Sequence, residues 1–124
     1  MAVSGRQDGL SATPLFAGAG AERSVLVYEP RTWKLLDRWN NCLKYEITSI
    51  HFLDAHPGYC IAGGLDYEVV VGPWASKLEK TFQSNSTVRF RGDSRWLGLS
   101  KALGMDVIAG LTASKSLYIG NLSI

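Results

Sequence analysis

The segment "FAGAG" at Phe16 to Gly20 returns twice in altered form, as "IAGGL" from Ile61 and "IAGLT" from Ile108. The three copies stand 45 and 47 residues apart. The apolar runs that follow them, "VLVYE" from Val25, "EVVVG" from Glu68 and "SLYIG" from Ser116, keep step at 43 and 48. Self-similarity at such a period constrains the fold strongly, because each unit is one supersecondary piece that buries its faces only against its neighbours.

The segments are short and rich in Val, Ile, Leu, Tyr and Trp, and "DAHPGY", "GLDY", "LGMD" and "TASKS" supply turn chemistry between them. Strict alternation in "ITSIHFL" sets Ile47, Ser49 and His51 against Thr48, Ile50 and Phe52. "YEVVVG" is continuously apolar, as expected of a strand buried on both faces. No window carries a helical period over 12 residues. The order within a unit is a strand, an Ala-Gly strand, an apolar strand, then an amphipathic one that contains or follows a Trp: "TWKLLDRW" in the first unit, "PWASKLEKTF" in the second. The expected fold class is therefore all-β, with antiparallel four-stranded blades of a partial β-propeller, about two and a half repeats long. The Ala-Gly pairs are expected on inner strands near the crowded axis. Residues 1–14 are expected to be a flexible N-terminal segment and 15–124 the partial propeller. "TVRFRG" at Thr87 to Gly92 is β-like and has no assigned place in this count.

At 124 residues the chain has the length of one domain, and 46% apolar with 19% charged residues is a globular composition. A net charge of +2 without a Lys/Arg block argues against nucleic acid or a membrane as partner, and no apolar run approaches a bilayer span. The N-terminus has no apolar stretch after a basic start, so it does not read as a secretory signal. The expectation is an intracellular protein of cytoplasm or nucleus, with Cys42 and Cys60 as reduced thiols. In that setting the sequons at Asn85 and Asn121 and the "RGD" at Arg91 to Asp93 carry no weight.

In period and strand order the chain resembles WD-repeat proteins over residues 15 to 124. "VYE" at Val27 to Glu29 stands where that family usually has Trp-Asp, and "LKYEI" stands in place of its Gly-His pair. "FAGAGAERSVLVYEPR", Phe16 to Arg31, is similar to the DWD box, a WD-repeat submotif associated with the adaptor of cullin-4 ubiquitin ligases. The matching positions are Ala17, Gly18, Glu22, Val25, Val27, Tyr28, Glu29 and Arg31. "GLDYEVVVGPW" and "RFRGDSRWLGLSKA" resemble the propeller region of BTB/POZ proteins with WD-like repeats, whose BTB domain is expected to engage cullin-3; this chain carries no BTB domain. Both resemblances imply substrate selection by a ubiquitin ligase, with cullin-ligase subunits as partners.

Chemistry finds little footing. "GAGAER" has Arg23 where a dinucleotide loop needs its third Gly, and a strand follows it instead of a helix. His51 and His56 lack metal-ligand spacing, and no Ser or Cys sits in a nucleophile setting. The expectation is no enzyme, no cofactor and no metal. The expected partner-binding residues are Tyr28, Glu29 and Arg31 at the rim, then Arg91, Asp93, Arg95 and Trp96 in a loop that sets charge beside an aromatic ring. For that loop, packing of Trp96 into the blade is an equal alternative. The rival functions are a truncated isoform that sequesters partners of a longer propeller, and a small-ligand-binding propeller. Open sheet edges would also allow self-association.

Overall fold

The computed structural model describes residues 2–7, 14–56, 58–75, 87–102 and 104–122, and every regular element among them is a strand. The strands are β1 Ala2–Gln7, β2 Pro14–Ala19, β3 Val25–Glu29, β4 Lys34–Trp39, β5 Ile47–Phe52, β6 Tyr59–Gly64, β7 Glu68–Pro73, β8 Val88–Arg91, β9 Trp96–Lys101, β10 Val107–Thr112 and β11 Leu117–Asn121. They form three antiparallel sheets of four, four and three strands: β1–β4, β5–β8 and β9–β11, each in sequence order. The chain is all-β and its sheets stack as blades of a partial β-propeller. The first strands of the blades lie side by side, β1 against β5 and β5 against β9.

Side-chain alternation explains the stacking. In the middle blade, Cys60, Ala62 and Val70 point to the first blade and join a core with Val25, Val27, Ile47 and Trp39. Ile61, Val69 and Val71, between them in sequence, point the other way to Trp96 and Leu99 of the third. Both faces of β6 and β7 are thus dry, which is why "EVVVG" shows no polar alternation. Each such aliphatic side chain contributes about 1.5–3 kcal/mol by leaving water. Burial also raises the Cys42 thiol to about 11 and pushes Cys60 up further in the same direction, and both thiols are free.

Three expectations change. The Ala-Gly strands β2, β6 and β10 are second in their sheets, not innermost, so their small residues serve the seams between blades. A Cβ at Gly63 would stand 2.5 Å from Leu99 Cδ1, and one at Gly110 would stand 2.4 Å from Trp96 Cζ3. The expected flexible N-terminal segment contains β1, paired with β2 from Ala2↔Ala19 to Gln7↔Pro14. "AVSGRQ" has little strand propensity of its own; what it gains is the otherwise open edge of β2. The fourth strand of the second blade is β8, inside "TVRFRG", and not "PWASKLEKTF". Pro73 of that segment ends β7, and its residues 76–82 lie outside the described ones.

Candidate interaction surfaces

Antiparallel order sorts the loops onto two edges. Turns that follow the first and third strands of a blade lie on one edge; those that follow the second and fourth lie on the other. The sequence-derived sites therefore separate: Tyr28, Glu29 and Arg31 belong to the β3–β4 turn, and Arg91 to Trp96 to the β8–β9 connection, at opposite edges.

In the β3–β4 turn, Trp33 N–H donates to the Glu29 carbonyl at 2.7 Å. Trp33 holds a left-handed φ of 56°. Its ring meets Phe16 edge-on at a centroid distance of 5.6 Å and is still 61% exposed. Arg31 is exposed beside it, whereas Tyr28 and Glu29 are half-buried at the end of β3. An open groove of about 400 Å³ runs along the outer face of this blade, lined by Phe16, Gly18, Leu26 and Tyr28 among others.

In the β8–β9 connection Arg91, Asp93 and Arg95 are exposed and Trp96 is buried. Asp93 Oδ1 accepts a hydrogen bond from Thr112 Oγ1 at 2.8 Å, and Oδ2 accepts one from Ser116 Oγ. Hydrogen bonds from Ser116, Ser114 and Thr112 lower its pKa to about 2. The carboxylate so ties this loop to the β10–β11 turn. Trp96 is 3% exposed, packed at a tilt against Tyr118 at 5.2 Å and Phe90 at 6.1 Å, with Nε1–H donating to the Tyr67 carbonyl at 2.8 Å. Trp96 as a partner-contacting residue is thus corrected: its ring fills the seam that Gly92 and Gly110 leave open. Asp93 is exposed and is held in place by its hydroxyl neighbours. Arg91 and Arg95 remain exposed, and the Arg91 guanidinium lies 5.0 Å over the Tyr67 ring.

The Asp93 tie has a pH consequence. Its folded pKa lies below the ordinary 3.8, so its contribution is present above that value and is lost as pH falls toward about 2. The Asp93 carboxyl carbon resonance should titrate with a midpoint near 2. A midpoint at the ordinary value would mean the hydroxyls do not hold it.

The histidines are structural. His51 Nε2–H donates to the Leu99 carbonyl at 3.0 Å across the seam, and His56 packs edge-on against Tyr59. On the edge that carries Arg31, Lys101 lies between Asp54 and Asp106, and Asp106 also accepts the Asp54 and Ala55 backbone N–H groups at 2.6 and 2.9 Å. No group of His, Cys, Asp or Glu among the described residues has metal-binding geometry.

Several exposed residues stand outside the expected partner-binding set: Trp33, and Tyr45, Leu65 and Tyr67, exposed by 59%, 43% and 42%. Their signal was there: a large apolar residue inside turn chemistry, as in "GLDY", has no strand face on which to pack.

Three antiparallel sheets with their first strands in contact define consecutive blades of a β-propeller. Solved structures agree on the fold. A chain of ctPRC2 in complex with H3K27me3 and H3K27M matches at a TM-score of 0.76 and 18% identity, over 99% of this chain and 25% of that one. A chain of a humanized mutant of the Chaetomium thermophilum Polycomb Repressive Complex 2 bound to the inhibitor GSK126 matches at 0.76 and 18%, over 99% and 26%. This chain thus spans about a quarter of the length of the chains it matches. No protein-family model matches the sequence, and no curated protein does. No helix among the described residues is long and apolar enough to cross a membrane.

Proposed function

We propose that this chain is a non-enzymatic protein-interaction module of WD-like propeller type, with the β3–β4 turn as a docking point. The observation that carries this reading is the exposed pair Arg31 and Trp33, the Trp 61% exposed yet positioned by a backbone hydrogen bond and by Phe16. Trp and Arg dominate interface energetics, and a ring already held in place loses little freedom when a partner covers it. The fold likeness to chains of a multi-protein complex supports a role among protein partners. The resemblance of Phe16 to Arg31 to the DWD box supports a narrower reading, substrate recognition in a cullin-type ubiquitin ligase, with Arg31 as the cation that meets the adaptor.

Affinity purification of the tagged chain from cells, compared with Arg31→Ala and Trp33→Ala, tests both levels. Each substitution should lower recovery of the principal partners about tenfold or more. Cullin-ligase subunits among the lost proteins would support the narrower reading. Recovery unchanged in both variants would overturn the docking point.

A second reading is favoured by β11, where Leu117 and Ile119 are 65% and 73% exposed on the sheet face away from the second blade. A further copy of this chain could cover that face. Light scattering that finds a dimer or larger species, reduced to monomer by Ile119→Lys, would support it. A monomer at all concentrations would sink it.

A further inference from the structure

The third strands of the first two blades, β3 and β7, are flanked by β4 and β8; beside β11 no strand stands among the described residues. Thr112 N–H donates to the Ser116 carbonyl at 3.0 Å, and Leu122 N–H donates to the Asp106 carbonyl at 2.7 Å. These bonds fix the phase of the ladder. With Gly110↔Tyr118 and Ile108↔Gly120 between them, Tyr118 and Gly120 turn their backbone groups to β10. The N–H and C=O groups of Leu117 and Ile119 therefore point to the open edge. The second blade faces the same place with apolar side chains. Val88 and Phe90 of β8 pair with Val71 and Val69, which face the third blade, and they are 46% and 50% exposed. Between them and β11 lies a cavity of about 220 Å³, walled by Val88, Phe90, Trp96, Ile108, Tyr118 and Leu122 among others. The indole N–H in that wall is already spent on the Tyr67 carbonyl.

We infer that this edge binds an extended segment of a partner protein, which adds to β11 as an antiparallel fourth strand and sets alternate apolar side chains into the cavity. Main-chain hydrogen bonds to Leu117 and Ile119 supply the attachment, and the cavity selects the side chains. Residues of the added strand opposite Tyr118 and Gly120 share their face, so they point at Val88 and Phe90. An apolar cavity of about 150 Å³ holds a benzene ring, so the room here takes one large apolar side chain with a smaller one beside it. The site continues two contacts already present, the β10–β11 ladder and the seam between the second and third blades. A second copy of this chain suits it less well, because its own β11 would bring a Tyr118 already packed on Trp96 and leave the cavity empty. The inference rests on the reading of the chain as an interaction module and concerns a surface separate from the Arg31 turn.

Fluorescence anisotropy with the intact chain tests it. The probes are a labelled short peptide alternating leucine with threonine and the same peptide with serine for leucine. The leucine peptide should bind saturably, and the serine peptide about tenfold or more weakly. With leucines in the cavity, the threonine amides face β11, so N-methylation of those should abolish binding and N-methylation of the leucine amides should not. Ile119→Pro removes an outward N–H without breaking a bond to β10, and Val88→Glu sets a charge on the cavity wall. Each should weaken binding about tenfold or more, with melting temperatures near that of the native chain. Arg31→Ala should leave peptide binding intact, so failure here and failure of the Arg31 docking point are separable. No saturable binding of the leucine peptide, equal binding of the serine peptide, or indifference to which amides are methylated would overturn the inference. Self-association abolished by Ile119→Pro, with no peptide bound, would assign the edge to a second copy and overturn it as well.

Discussion

Trp96→Ala should cost about 3–5 kcal/mol, the range for removing a buried aromatic side chain. Against the 5–15 kcal/mol that holds an ordinary domain together, this places the variant near the edge of folding. The expected drop in melting temperature is on the order of 10–20 °C. The reason is the seam: the indole spans from β9 to Tyr118 and Phe90, covers the notches at Gly92 and Gly110, and spends its N–H on the Tyr67 carbonyl. Removal leaves a cavity between the second and third blades and takes from the Tyr67 carbonyl one of its two hydrogen bonds, that from Gly92 N–H remaining. Trp96→Phe should fall between the two, keeping ring contacts but not the hydrogen bond. A melting curve of Trp96→Ala that overlays the native one would sink this account, and would return Trp96 to the surface as a partner contact.

Gly64→Ala should be the most damaging of the glycine substitutions. A Cβ there would stand 2.1 Å from the Glu46 carbonyl oxygen and 3.0 Å from Ile47 Cα. Both obstacles are backbone, so no side chain can turn aside. Relief requires β5 to move away from β6, which breaks the Ile47↔Gly64 pairing and strains the Leu65-to-Glu46 hydrogen bond. The cost should be at least about 3 kcal/mol, the upper end for overpacking. Gly98→Ala is the internal control, because nothing lies within 4 Å of its added Cβ. It should change stability by no more than about 0.5 kcal/mol. Equal urea midpoints for the two variants would refute the close approach at Gly64.

The two substitutions probe features of different legibility. The repeat of Ala-Gly strands was plain in the sequence, and so was a need for small side chains there. Which obstacle makes them small was not plain. The obstacle for Gly110 is Trp96, and that for Gly64 is a carbonyl of the preceding loop; neither follows from a strand pattern. The site residues divide in the same way. Arg31, Arg91 and Arg95 are charged residues in turns, and the structure exposes them. Trp96 and Asp93 were read from the same charged, aromatic loop, yet one is core and the other is held by hydroxyls 19 and 23 residues further on.

What the sequence determined by itself was the all-β class, the blade period, and the dryness of β7 on both faces. These rest on local alternation and composition, which a strand expresses wherever it is placed. What only the tertiary structure decided was the pairing of β1, the choice of β8 as an outer strand, the burial of Trp96, the exposure of Trp33, and the gathering of Tyr67 and Arg91 on one edge. Each depends on which segment, tens of residues away, comes to lie opposite. A periodic pattern specifies that a face must be covered, and packing alone selects the neighbour that covers it.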